Sequence, residues 1–167
     1  MKKIVLAVMA FCAFGVANAQ DDEGGFKVGI HLGMPIGDAG DAYKFNFGTD
    51  VAYMWPISDG FLLGATTGYS YLSGEEQTFM GTTIAATNGA FIPVAASAQY
   101  SLTESFFVGA DLGYALYAGD GDGEGGLYYQ PKVGYQMEKI ELYLSYKAIA
   151  DEVSAITIFG IGAAYKF

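Results

Sequence analysis

The residues that could bind a metal ion stand late in the chain, in the stretch YAGDGDGEGGLYY at positions 117–129. Asp120, Asp122 and Glu124 alternate there with glycines, as oxygen ligands do in calcium-binding loops. An EF-hand would need a glutamate at its twelfth position, but counting from Asp120 that position is Pro131. A calcium-binding β-roll would need repeats of the motif. We therefore interpret the stretch as an outer loop between two strands, keep the three acids as a secondary metal-site candidate, and expect no cofactor.

The side chains that could support acid–base catalysis include a single histidine, His31. A nucleophilic hydrolase would need that histidine beside a serine and a carboxylate. Residue alternation predicts that His31 shares one face with several candidates, which are Ser70, Ser97, Ser145, Asp50 and Asp111. The same alternation would place serines on that face without any function, and triad geometry is not readable from spacing. We prefer a hydrogen-bonded structural histidine and predict that the chain is not an enzyme.

The N-terminus has the pattern of a secretory signal peptide. Two lysines precede a short apolar run over residues 4–16, and a small-residue cleavage site ends before Gln20. The run is shorter than the roughly 18 residues that a spanning helix requires. Because the only cysteine lies in this run, no disulfide is expected. The predicted organisation is a signal peptide at 1–19, a short periplasmic tail at 20–25, and one domain at 26–167.

The composition excludes one class of partner and favours one class of fold. The chain has 18 acidic and 8 basic residues, and its formal net charge is −10. All the basic residues are lysines, and such an acidic chain argues against nucleic-acid binding, which requires basic patches. With 52% hydrophobic residues, 13 Tyr, 12 Phe and 24 Gly, the chain favours β-structure.

Apolar and polar residues alternate in eight segments, each with one apolar, uncharged face and one small, polar face. A soluble barrel could show the same alternation. Three features favour a membrane barrel: aromatic residues near strand ends, strands of about 9–11 residues, and connections that alternate between long and short. We predict an all-β fold, an eight-stranded antiparallel up-and-down transmembrane β-barrel. The predicted strands are 26–34, 44–55, 61–71, 90–102, 106–118, 127–138, 140–149 and 156–167.

The connections predict which end of the barrel faces outward. Long ones follow the odd-numbered strands and short ones follow the even-numbered strands, as in outer-membrane barrels. Residues 78–87 could add a ninth strand, but this would place the termini on opposite sides, so a hairpin within the second long loop is preferred. Pro93 and Pro131 each remove a ladder donor, and we expect both near the outer ends of their strands.

The chain ends FGIGAAYKF, with Phe159, Ile161, Tyr165 and Phe167 on one face. This resembles the C-terminal signature of bacterial outer-membrane β-barrel proteins. Together with the signal peptide and eight strands, the chain resembles small OmpA/OmpX-like barrels of the porin superfamily. The resemblance implies integration in the outer membrane after signal-peptide cleavage, delivery by periplasmic chaperones, and insertion by an assembly machinery that reads the last strand. It also implies that the barrel contacts outer-membrane lipids and lipopolysaccharide, and that the protein is a monomer.

The inward face of the predicted barrel carries charges. An eight-stranded barrel is filled by side chains, and buried charges require partners. We predict an interior charge network that consists of Lys27, His31, Asp50, Asp111, Lys132, Glu141 and Lys147. Lys44, Lys166 and Glu138 are predicted on the same inward face. The network is either a structural salt-bridge core or, as an alternative, a narrow ion path.

Three functions remain open from the sequence. The preferred one is a non-enzymatic outer-membrane barrel with a structural or surface-interaction role through acidic extracellular loops. These loops could share divalent cations with lipopolysaccharide phosphates, since hard cations prefer oxygen ligands. The alternative is a small porin-like pore or a conduit for small or apolar molecules. The third is a lipid-modifying barrel enzyme.

Overall fold

The computed structural model describes residues 24–74, 77–79, 82–84, 88–119, 123–151 and 154–167. The predicted signal peptide and most of the predicted tail lie outside these residues, as do Asp120 and Asp122. No helix within the described ranges is long and apolar enough to span a membrane.

The segments in which apolar and polar residues alternate form eight long strands. At one end of the barrel, the connections predicted as loops contain a short helix and two short strands. In chain order the elements are β1 (Gly25–Ile36), α1 (Asp38–Ala42), β2 (Tyr43–Ser58), β3 (Phe61–Gly74), β4 (Gln77–Phe79), β5 (Thr82–Ile84), β6 (Gly89–Ser101), β7 (Phe106–Tyr117), β8 (Gly126–Gln136), β9 (Ile140–Ala150) and β10 (Ala155–Lys166).

The eight long strands close into a barrel in the order β1-β2-β3-β6-β7-β8-β9-β10, and β10 pairs back onto β1. All of these pairings are antiparallel, and the closing pair aligns Val28 with Tyr165 and Leu32 with Ile161. The predicted fold is confirmed. We call the end with the long connections the loop end and the opposite end the turn end.

The short strands β4 and β5 pair with each other in a separate two-stranded sheet outside the barrel. The segment 78–87 is thus not a ninth barrel strand where the structure describes it. The short helix α1 lies in the first long connection, with Ala39 buried. The loop end therefore carries all of the extra secondary structure.

Strand β2 is longer than predicted and shortens the first turn. The pairing of β2 with β3 continues to Pro56 opposite Leu62 and shifts register before Ser58. The reversal is left to Asp59 and Gly60, and Gly60 has a φ of 72°. This left-handed conformation favours glycine, which explains how so short a turn closes.

The two prolines each interrupt the ladder on one side of their strand. Pro93 lies where the β3–β6 pairing stops between Thr67 and Ser70, and Pro131 lies where the β8–β9 pairing stops between Tyr129 and Lys132. Pairing on their other sides is continuous, because the missing N–H would have pointed to one neighbour only. The expectation that both stand near strand ends is wrong for Pro131, which is in the middle of β8.

The barrel surface is apolar where it would face lipid. Exposed fractions reach 62% for Ile30, 60% for Leu112 and 56% for Ile161. Aromatic pairs stand at both ends, such as Tyr165–Phe167 with centroids 4.9 Å apart at the turn end and Phe47–Tyr71 with centroids 5.2 Å apart at the loop end. Such an apolar band between aromatic rows is typical of membrane barrels.

A lipid-facing threonine supplies a hydrogen bond where one of the proline interruptions leaves a carbonyl oxygen outside the ladder. The Thr67 hydroxyl donates to the Pro93 carbonyl oxygen at 2.8 Å. Because lipid offers no replacement donor, we expect Thr67→Val to lower the free energy of unfolding in lipid vesicles by about 1 kcal/mol, measured by urea titration.

The matched control for this change is Thr49→Val on the adjacent strand β2. Thr49 is also exposed, and no side-chain hydrogen bond is found for it within the described part of the chain. We expect no loss there. Equal stability of Thr67→Val and the unaltered protein would show that the hydroxyl makes no stabilising hydrogen bond there.

Candidate functional site

The candidate site is the interior of the barrel, which the inward side chains of the strands fill. The residues of the predicted charge network lie there: five are buried and the side chains of Asp50 and Lys132 are 21% and 18% exposed. The buried five are Lys27, His31, Asp111, Glu141 and Lys147.

One half of the network is built around His31. Lys147 Nζ lies 2.9 Å from His31 Nε2, and His31 Nδ1 lies 2.8 Å from Asp50 Oδ2. The Tyr143 hydroxyl donates to the same Asp50 oxygen at 3.0 Å. Because a lysine ammonium can only donate, Nε2 accepts and Nδ1–H donates to the carboxylate. The imidazole therefore connects the charge of Lys147 to that of Asp50.

The other half contains two direct ion pairs. Lys27 Nζ is 2.7 Å from Glu141 Oε1, and the Gln99 amide bonds both partners. Lys132 Nζ is 2.9 Å from Asp111 Oδ2. The Ser97 hydroxyl donates to Asp111 Oδ1 at 2.6 Å.

The charges of this network balance. Lysines and carboxylates are equal in number when the histidine is neutral, with Lys27, Lys132 and Lys147 opposite Asp50, Asp111 and Glu141. Paired and hydrogen-bonded charges are the form in which buried ionised groups are stable. The arrangement therefore needs no bound ion to be neutral.

Three other charges predicted on the inward face lie outside this network. Lys44 and Glu138 are exposed, and Lys166 is partly exposed. All three stand at or near strand ends, where the barrel opens to solvent.

Sequence reasoning missed the interior tyrosines. Tyr128 and Tyr143 are buried inside the barrel, although tyrosines in such chains are expected in the outer aromatic rows. Alternation could have found Tyr143, because it lies between Leu142 and Leu144, which face outward. The structure makes room for its ring at Gly162 of the adjacent strand, where an added Cβ would collide with it. Gly48 makes room for His31 in the same way, since a Cβ there would lie 2.7 Å from the imidazole.

The loop end of the interior is apolar rather than small and polar. A cluster of buried side chains fills it, with the partly buried Tyr43, Tyr117 and Ile156 packed against it. We call it the loop-end cluster; it consists of Leu72, Phe91, Ala95, Ala115, Tyr128, Ile149 and Ile158. A central chamber of about 40 Å³ lies among the charged residues. Among the residues that the structure describes, the interior is therefore filled and shows no wide channel.

The geometry of a hydrolytic triad is not formed around His31. Both ring nitrogens are already engaged, one by Asp50 and one by Lys147. Two of the three predicted serine candidates have other partners: Ser70 accepts from Asn46 at 2.9 Å and Ser97 donates to Asp111. His31 is thus held as a connecting group.

The glycine-rich stretch shows no metal geometry in the described residues. Glu124 is exposed, and no group of three or more metal-binding side chains occurs in the ranges that the structure covers. The C-terminal signature residues lie on the closing strand and at its end, with exposed fractions of 42–59% for Phe159, Ile161, Tyr165 and Phe167.

Comparison with known proteins shows the fold. The structure is similar to that of Ail, the attachment invasion locus protein of Yersinia pestis, in nanodiscs, with a TM-score of 0.56 and 13% identity over 84% of this chain and 99% of that chain. A designed transmembrane β-barrel gives a TM-score of 0.54 at 14% identity, over 89% and 98% of the two chains. No protein-family model matches the chain, and no curated protein sequence is significantly similar to it.

The closed barrel, its apolar outer face and these structural neighbours define the class. The chain is an eight-stranded transmembrane β-barrel with the fold of small bacterial outer-membrane proteins.

The ion pair of Lys27 and Glu141 allows a direct test of the interior. Lys27→Met leaves Glu141 buried without its cation, and we expect the free energy of unfolding to fall by about 3–5 kcal/mol. The measurement is urea unfolding of the barrel in lipid vesicles. Lys139→Met, at an exposed lysine of the turn end, is the control and should change stability little. An equal loss in both variants would contradict a specific role for the ion pair.

Proposed function

We propose that this protein is an integral outer-membrane barrel without enzymatic or conducting activity, which supports the membrane and interacts through its acidic loop end. The observation that carries the proposal is that the apolar residues are outside and the charged residues inside, the reverse of a soluble protein. Apolar side chains such as Ile30 and Ile161 stand outside, and ionised residues such as Lys147 are buried inside.

Two features of the interior support a closed barrel. The loop-end cluster fills one end with side chains that are at most 6% exposed, and hydrophobic constrictions resist hydration. Beyond it, the balanced charges are joined by short hydrogen bonds. An ion entering this interior would have to break those bonds and displace packed apolar groups.

The proposed absence of catalysis rests on His31. A general base needs a free nitrogen within reach of the proton that it removes, whereas both nitrogens here are occupied. Replacement of His31 by alanine, followed by analysis of lipid A and phospholipids, tests the enzyme alternative. A lipid modification that disappears in the variant would establish it.

The proposed surface role rests on the charge of the loop end. Asp38, Asp41, Glu124 and Asp151 are exposed or partly exposed there. The proposed partners are lipopolysaccharide and its divalent cations. Insertion by the outer-membrane assembly machinery and the monomeric state are parts of the same proposal, supported by the C-terminal strand that closes the barrel. Ail is named for attachment and invasion, and its shared fold permits a surface role here.

The closed interior predicts an electrically silent protein. In planar bilayers we expect no steady current steps, whereas a porin added under the same conditions should give them. Reproducible steps of one size from the purified barrel would instead establish the pore alternative.

The acidic loop end predicts a response to divalent cations. Millimolar calcium should raise the unfolding temperature in vesicles that contain lipopolysaccharide by roughly 2–4 °C, which corresponds to about 1 kcal/mol for a chain of this size. Vesicles of phospholipid alone are the control and should show no such rise. An unchanged unfolding temperature with lipopolysaccharide would contradict cation sharing.

A further inference from the structure

The central chamber is polar and has room for water. Its volume is about 40 Å³, and its lining includes Lys27, Asp50, Asp111, Lys132 and Tyr143. A buried water needs roughly 10–15 Å³ of such space and two to four polar partners. The chamber is therefore large enough for about three or four water molecules.

The side chains around the chamber have unused hydrogen-bonding capacity. Asp50 Oδ2 receives the bonds from both His31 and Tyr143. No hydrogen bond to the other oxygen, Oδ1, occurs within the described ranges. Oδ1 is not fully buried, so a water molecule could reach it. Lys132 donates to a single residue, Asp111, through an ammonium with three N–H groups. These groups point to a ligand that can both donate and accept.

The exposure of two charged side chains shows space around them. Asp50 is 21% and Lys132 is 18% accessible, although both lie on inward positions of a closed barrel. By contrast, Lys147 is 2% exposed. Accessible charge inside an otherwise filled barrel is the expected signature of an internal hydrated space.

The chamber has an approach from the turn end. A larger cavity of about 790 Å³ opens there, lined by residues that include Ser101, Glu104, Gln136 and Lys166. Glu141 lines both this vestibule and the chamber. At the opposite end the loop-end cluster separates the chamber from the loops.

We propose that the central chamber is a binding site for a small cluster of water molecules, which exchange with the turn-end vestibule past Glu141. The water joins Asp50 and Lys132 and completes their hydrogen bonds. The interior is thus hydrated from the turn end and dry at the loop end. This goes beyond the proposed function, because a hydrated chamber is compatible with either a silent barrel or a pore.

Magnetisation transfer from water to protein, measured by solid-state NMR on the labelled barrel in vesicles, tests the proposal. We expect rapid transfer to the Lys132 ammonium and the Tyr143 hydroxyl, which line the chamber, and none to the methyl groups of Ile149 and Ile158. Absence of transfer to Lys132, or equal transfer to Ile149, would overturn the proposal. This test needs only the unaltered protein.

A variant that fills the chamber gives a second test. Ala52 lines the chamber, and Ala52→Val should slow the transfer to Lys132 several-fold. Ala96→Val is the matched control, since Ala96 is exposed on the outer face of β6, and it should leave the transfer unchanged. Unchanged transfer in Ala52→Val, or an equal loss in both variants, would overturn the assignment of the water to this chamber.

Discussion

The constraint on which the rest of the structure depends is that lipid supplies no hydrogen bonds to a peptide backbone. Every N–H and C=O of a spanning strand must find its partner within the protein. Here the first and last strands pair along their length, so that the sheet has no free edge. The interruption at Pro93 shows the same constraint, because the Thr67 hydroxyl donates to the Pro93 carbonyl oxygen there.

Closure with eight strands determines what the interior can be. A barrel of this size has room for side chains but little else, and half of all strand positions point inward. The sequence fills those positions with charged residues that neutralise one another, and with glycines that make room for large neighbours. Gly162 beside Tyr143 and Gly48 beside His31 are examples of this size matching. The polar interior is therefore filled by side chains that fit one another, apart from the small central chamber.

Residue alternation was sufficient to predict the architecture but not the partners inside. Alternation depends on neighbours along the chain, and it assigned Lys27 and Glu141 to the inward face. That these two meet is a matter of barrel stagger, since they are 114 residues apart in the chain. Two members of the loop-end cluster, Leu72 and Ile149, stand beyond or at the end of the predicted strands. Alternation places the other five on the inward face, but it does not show that they pack together. Strand β3, for example, continues past its predicted end, so that Leu72 joins the apolar layer at the loop end.

The two layers of the interior have different consequences for function. The charged layer stabilises the barrel only while each charge keeps its partner, since removal of one partner leaves a buried charge in a medium that solvates it poorly. The apolar layer has no such dependence, and it separates the charges from the loop end. Changes in the loops can therefore alter what the protein contacts without disturbing the charges below them. This separation is compatible with the proposed surface role, which would reside in the connections of a barrel with a fixed interior.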